Sequence, residues 1–180
     1  MMSGHNPKFR LRVMMFLQYA IWGSWASAIS AQLATFGFSR VQISAIFGCQ
    51  WLGCIISPFI GGQIADRFMP TQIFLAIAHL VGAGMLYMAS VQHEFRSMWI
   101  WIFVYALFYA PTLALTNSIC FRNLKDTENE FGRIRVWGTI GWIAAGWFVT
   151  AVREIWHTET WTGGSDLLVI AASFSAIMCV

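Results

Sequence analysis

Arg133-Ile134-Arg135-Val136-Trp137-Gly138-Thr139-Ile140-Gly141-Trp142, running on to Gly146 and Trp147, is where a charged loop turns into an apolar helix. Arg135, Thr139, Trp142 and Gly146 recur at steps of four, three and four, so they share one helical face. That face carries a cation, a hydroxyl, an aromatic ring and a gap, while Ile, Val and Ala make the other. A helix surrounded only by lipid has no use for it, because a charge near hydrocarbon is costly unless a partner or water meets it.

The rest of the chain fits a membrane setting. Of 180 residues, 58% are hydrophobic and 11% charged, whereas soluble domains carry roughly 25% charged residues. Mean hydropathy is +0.61. The apolar residues come in blocks of about 20, enough to cross a bilayer as a helix; a membrane barrel would show alternating segments of ~10 residues. The expected class is an all-α polytopic membrane protein. A net charge of +3, with the basic residues beside the ends of the apolar blocks, does not point to nucleic acid. Cys49, Cys54, Cys120 and Cys179 lie in or at the ends of apolar segments, form no CxxC pair and have no metal-spaced His. No metal or cofactor is expected. With no phosphate-cradling Gly loop and no Ser/His/Asp arrangement, neither is an enzyme.

Residues 1–12 read as an N-terminal segment before a transmembrane bundle over 13–180, with spans at about 13–36, 41–64, 71–90, 98–120, 133–152 and 167–180. Ala26-Ser27-Ala28 has the form of a cleavage site, but the apolar run continues past it, so span one is expected to be uncleaved. The last run is short for a span, which predicts a chain cut within or just after span six. Lys8, Arg10, Arg12, Arg67, Arg122, Lys125, Arg133 and Arg135 fall on one side, against Arg40, Arg96 and Arg153 on the other. The excess places the N-terminus in the cytoplasm.

Other spans have polar faces too: Gln18, Trp22, Trp25 and Gln32 on span one, Gln50, Gly53, Ser57 and Gly61 on span two, Tyr105, Tyr109, Thr112 and Thr116 on span four. Each stripe could serve only helix packing, through hydroxyl back-bonding or close contact at small residues. The Arg on span five favours a polar cavity shared by spans one, four and five. His79, isolated in span three, reads as a neutral buried histidine with a hydrogen-bond partner rather than a proton carrier. All eight acidic residues lie in loops or at span ends.

Gly62-Gln63-Ile64-Ala65-Asp66-Arg67 resembles the loop between spans two and three of the major facilitator superfamily, although Met69 stands where a second Gly is usual and the basic pair is missing. Within that superfamily, Phe16 to Trp25, Pro111-Thr112-Leu113 with Asn117, and above all Arg135-Val136-Trp137-Gly138-Thr139-Ile140-Gly141 resemble spans one, four and five of the bacterial nucleoside:proton symporters. The resemblance implies the N-terminal six-helix bundle of a twelve-span transporter, each half an inverted three-plus-three repeat. It implies a nucleoside substrate, a proton as coupling ion, the bacterial inner membrane, and a C-terminal half that holds the titrating carboxylate. The family's nucleoside-facing positions match Arg135, Thr139 and Trp142, the last commonly Phe there. Gln18 and Trp22 on span one, with Tyr109 and Thr112 on span four, complete the expected substrate site. Gly62, Asp66 and Arg67 form the expected gating loop. Two alternatives stay open: a major facilitator transporter for a sugar or other polyol, and a half-size membrane partner protein that moves nothing alone.

Overall fold

A computed structural model describes residues 7–57, 59, 69–156 and 165–179. Among them are seven α-helices: α1 (Pro7–Ala26), α2 (Ile29–Thr35), α3 (Arg40–Ser57), α4 (Thr71–Ser90), α5 (Phe95–Asn123), α6 (Thr127–Trp156) and α7 (Asp166–Met178). The gating-loop residues Gly62, Asp66 and Arg67 lie outside the described residues.

Three spans differ most from the sequence expectation. Span one is broken into α1 and α2 at Ser27-Ala28, the pair that reads as a cleavage site. Ser24 Oγ donates to the Ala20 carbonyl at 2.7 Å and Ser27 Oγ to the Gly23 carbonyl at 3.4 Å. Such back-bonding competes with the helix ladder and bends it. Span five begins at Thr127, inside the expected loop of 121–132. Asp126 accepts from the Asn129 backbone N–H at 3.2 Å and from its side chain at 2.8 Å. Those bonds hold the Asp126 carboxyl below its usual range, and Glu128 and Glu130 suit the positive end of the helix. Span four likewise extends to Phe95–Asn123, leaving a short link to α6.

Only α4 and α5, among the described residues, are long and apolar enough, by length and composition, to cross a membrane. Charged starts on α1 and α6, the break after α1, and the 13-residue length of α7 set those helices apart.

The contacts obey an internal exchange. The principal helix pairs are α1 with α6, α3 with α5, α4 with α5, α1 with α7, and α4 with α7. Exchanging spans one to three with spans four to six maps the first pair onto the second, the third onto the fourth, and the fifth onto itself. An inverted three-plus-three repeat has this property. Its mates share a device: Gly53 of α3 lies so close to α5 that a Cβ would stand 2.7 Å from the Ala106 carbonyl oxygen, and Gly23 of α1 lies so close to α6 that a Cβ would stand 2.5 Å from that of Trp142. Small residues at these crossings let backbones touch where no hydrophobic force draws helices together.

The core runs through the middle of the bundle, with Ile21, Trp25, Ile46, Leu86, Met98, Ile102, Tyr105 and Leu168 among its buried members. Outward faces stay apolar: Trp51 is 65% exposed on α3 and Trp147 74% on α6. Exposed apolar area on this scale marks a lipid or protein contact.

At the end of the bundle opposite the N-terminus, a polar clamp joins four helices. Arg153 at the end of α6 donates through Nε to Asp166 Oδ2 at 2.6 Å and through its Nη2 to Asp166 Oδ1 at 2.7 Å. Gln32 of α2 donates to Asp166 Oδ1 at 2.6 Å and accepts from Ser165 Oγ at 2.6 Å. The Ser165 N–H reaches the Ser90 carbonyl at the end of α4.

Candidate functional site

The site grows out of the crossing of α1 and α6. Phe16, Tyr19 and Gly23 lie at i, i+3 and i+7 on α1; Gly138, Gly141 and Ala145 repeat that spacing on α6. A Cβ on Gly141 would strike the Phe16 carbonyl oxygen, and one on Gly138 would stand 2.7 Å from the Tyr19 ring and 2.8 Å from an Arg135 Nη. The two glycines thus open the groove in which Tyr19 and Arg135 meet. The Arg135 guanidinium carbon sits 4.1 Å from the centre of the Tyr19 ring, where the ring's negative face attracts a cation.

Arg135 is half-buried, and Thr139 and Trp142 beyond it are exposed. Trp142 presents 38% of its surface. Together they form a strip of donors, hydroxyl and ring on one face of α6. Trp22 is half-buried one turn beyond Tyr19 and packs beside the core.

The other three expected site residues lie elsewhere. Gln18, Tyr109 and Thr112 are buried inside the bundle and bonded to one another. Gln18 Nε2 donates to Thr112 Oγ1 at 2.8 Å, Thr112 donates to the Tyr109 carbonyl at 2.6 Å, and the Tyr109 hydroxyl donates to the Gln18 carbonyl at 2.6 Å. That order turns Gln18 Oε1 toward His79 Nε2 at 3.0 Å, so the hydrogen there belongs to the histidine. On its other side, His79 Nδ1 lies 3.3 Å from Ser175 Oγ, which donates to the His79 carbonyl at 2.8 Å. This network ties spans one, three, four and six at the centre of the repeat. Among the described residues, the polar side chains of spans one and four thus meet one another. Within this half, the polar stripes of spans one and four turn inward and satisfy each other, and the α6 strip turns outward.

Sequence reasoning did not single out Tyr19, Asp166 or Arg153 for these contacts. A signal for Tyr19 was present in the matched spacing on α1 and α6. Asp166 and Arg153 carried none, because at the edges of a loop they read as solvated charges.

The family profile described as Nucleoside H+ symporter matches residues 5–180. YegT of Escherichia coli (strain K12) is 39% identical over 171 residues, covering 95% of this chain and 40% of that protein. Nucleoside permease NupG of the same organism is 32% identical, covering 96% of this chain and 41% of its own length. A xanthosine permease, also from that organism, is 38% identical over 170 residues. A crystal structure of the nucleoside transporter NupG superposes with a TM-score of 0.85, covering 97% of this chain and 43% of that one. This chain spans about two fifths of the length of the curated relatives it matches, and its bundle has the fold of a major facilitator N-terminal half. By a match that runs over nearly its whole length, the chain belongs to the nucleoside H+ symporter family.

Proposed function

We propose that the chain is the N-terminal half of a proton-coupled nucleoside transporter of the bacterial inner membrane, working by alternating access with its N-terminus in the cytoplasm. The observation that carries the reading is the α6 strip: Arg135 held over Tyr19, with Thr139 and Trp142 exposed beyond it. A nucleoside offers a flat base and a polyhydroxyl ribose. Trp142 stacks on the base, an interaction worth roughly 1–3 kcal/mol for aromatic–base contacts. Thr139 exchanges hydrogen bonds with ribose or base edges. Arg135, always charged and purely a donor, meets a base carbonyl or a carboxylate of the opposing half. Trp22 borders the strip from span one. Gln18, Tyr109 and Thr112 act beneath it, fixing the register of spans one, three and four. The coupling carboxylate belongs to the C-terminal half, since the acids of this sequence lie in loops or at span ends. Gly62, Asp66 and Arg67 hold the loop after span two in one transport state.

The test is accumulation of labelled uridine or adenosine by cells expressing the full-length protein, with unlabelled competitors. Uptake blocked by nucleosides and untouched by hexoses supports the reading. Inhibition by hexoses but not nucleosides replaces it with the polyol alternative.

A further inference from the structure

At the N-terminal end of the bundle, the first turns of α1 and α6 enclose a notch of about 60 Å³ lined by Lys8, Arg12, Glu130, Arg133 and Ile134. A single buried water needs only ~10–15 Å³ of such space. Lys8 Nζ pairs with Glu130 Oε1 at 2.7 Å, so those two charges cancel and Arg12 and Arg133 leave the notch cationic. Two atoms of the lining residues are closed to solvent without a partner: Arg12 Nε, a donor, and Glu130 Oε2, an acceptor. Buried polar groups are ordinarily matched, and each unmatched one calls for a cause. The location adds a second constraint. Arg12 directly precedes the apolar run that starts at Val13, which sets the notch at the level of the lipid headgroups. Ile134, 2% exposed, joins it to the apolar cluster of Leu11 and Met15.

We infer that this notch binds the phosphodiester headgroup of a membrane lipid that carries its own hydroxyl or ammonium donor. The phosphate oxygens accept from the Arg12 and Arg133 guanidinium groups, and a small turn of the Glu130 side chain brings its closed-off Oε2 to the headgroup donor. A bare anion would leave that carboxylate oxygen facing negative charge. A choline headgroup has the phosphate but nothing to donate. Basic pockets between spanning helices recognise lipid headgroups by this chemistry, and a lipid seated there bridges spans one and five on the side away from the Arg153–Asp166 clamp.

The test is native mass spectrometry of the full-length protein in detergent, with phosphatidylglycerol, phosphatidylcholine or inorganic phosphate added. Phosphatidylglycerol adducts are expected to survive where phosphatidylcholine adducts do not, and excess inorganic phosphate is expected to leave them in place. Arg12→Gln and Arg133→Gln should each weaken the adduct by about fivefold, the effect of one basic residue near an anionic surface. Arg10→Gln, on an exposed neighbour outside the notch, should leave it nearly unchanged. Because Arg133 is exposed, its substitution keeps the test decisive if Arg12→Gln fails to fold. Equal binding of the two lipids, an equal loss with Arg10→Gln, or displacement by inorganic phosphate would overturn the assignment.

Discussion

Arg135 and Tyr19 are neighbours across the α1–α6 crossing, with the guanidinium carbon 4.1 Å above the ring centre. The aromatic face both orients the cation and repays part of its removal from water, a contact worth about 0.5–1 kcal/mol at accessible sites. Tyr19→Leu is therefore expected to raise the KM of nucleoside uptake about two- to fivefold, while Tyr19→Phe, which keeps the ring, leaves it near wild type. A KM unchanged by Tyr19→Leu would show that the ring does not hold Arg135 in place.

Glycine positions on α6 separate sharply. A methyl at Gly141 collides with the Phe16 backbone, whereas nothing lies within 4 Å of one at Gly146. Gly141→Ala should destabilise the protein by about 1–3 kcal/mol, as overpacking does. Gly146→Ala should be neutral or slightly stabilising, since Ala favours helix over Gly by ~1 kcal/mol. Thermal unfolding of the detergent-solubilised protein reads both; equal melting temperatures for the two variants would contradict the crossing geometry.

Gln18 divides two roles that sequence cannot separate. Its side chain is saturated by Thr112 and His79 in the interior. Gln18→Leu leaves His79 Nε2 without its acceptor, a loss of about 1–3 kcal/mol for a buried group. Stability should fall, with the surviving folded protein keeping its KM. A raised KM at unchanged stability would make Gln18 a substrate contact instead.

Two ion pairs in this half differ in burial. Asp166 is 1% exposed in its pair with Arg153, while the Lys8 side chain is 44% exposed in its pair with Glu130. Arg153→Gln removes the cation from a buried carboxylate and should cost about 3–5 kcal/mol. Lys8→Gln should cost no more than ~1 kcal/mol. Comparable losses in chemical or thermal unfolding would mean the clamp is not the stronger joint.

Much of the fold was legible because hydrophobic blocks of bilayer length leave few other solutions. Finer features were not. Ser27-Ala28 has the same local chemistry whether it breaks a helix, packs one or is cut by a peptidase, and the break follows from hydroxyl back-bonding together with the tether of Gln32 to Asp166. The α6 start was missed because Thr127 to Gly132 is as polar as a loop, and only the Asp126–Asn129 cap shows that the helix begins there. At the site, periodicity assigns residues to helical faces but cannot say whether a face turns toward its own bundle or away from it. Gln18, Tyr109 and Thr112 turned in; Thr139 and Trp142 turned out. That choice is set by which helices meet, and the glycines at the α1–α6 and α3–α5 crossings are part of what lets them meet.

The most direct measurement is labelled uridine or adenosine uptake by the full-length protein carrying Arg135→Ala, normalised to the amount of folded protein in the membrane. The account predicts a loss of about tenfold or more, the scale of a hydrogen bond to a charged group at ~1.5–3 kcal/mol. Robust uptake unaffected by Arg135→Ala would contradict it.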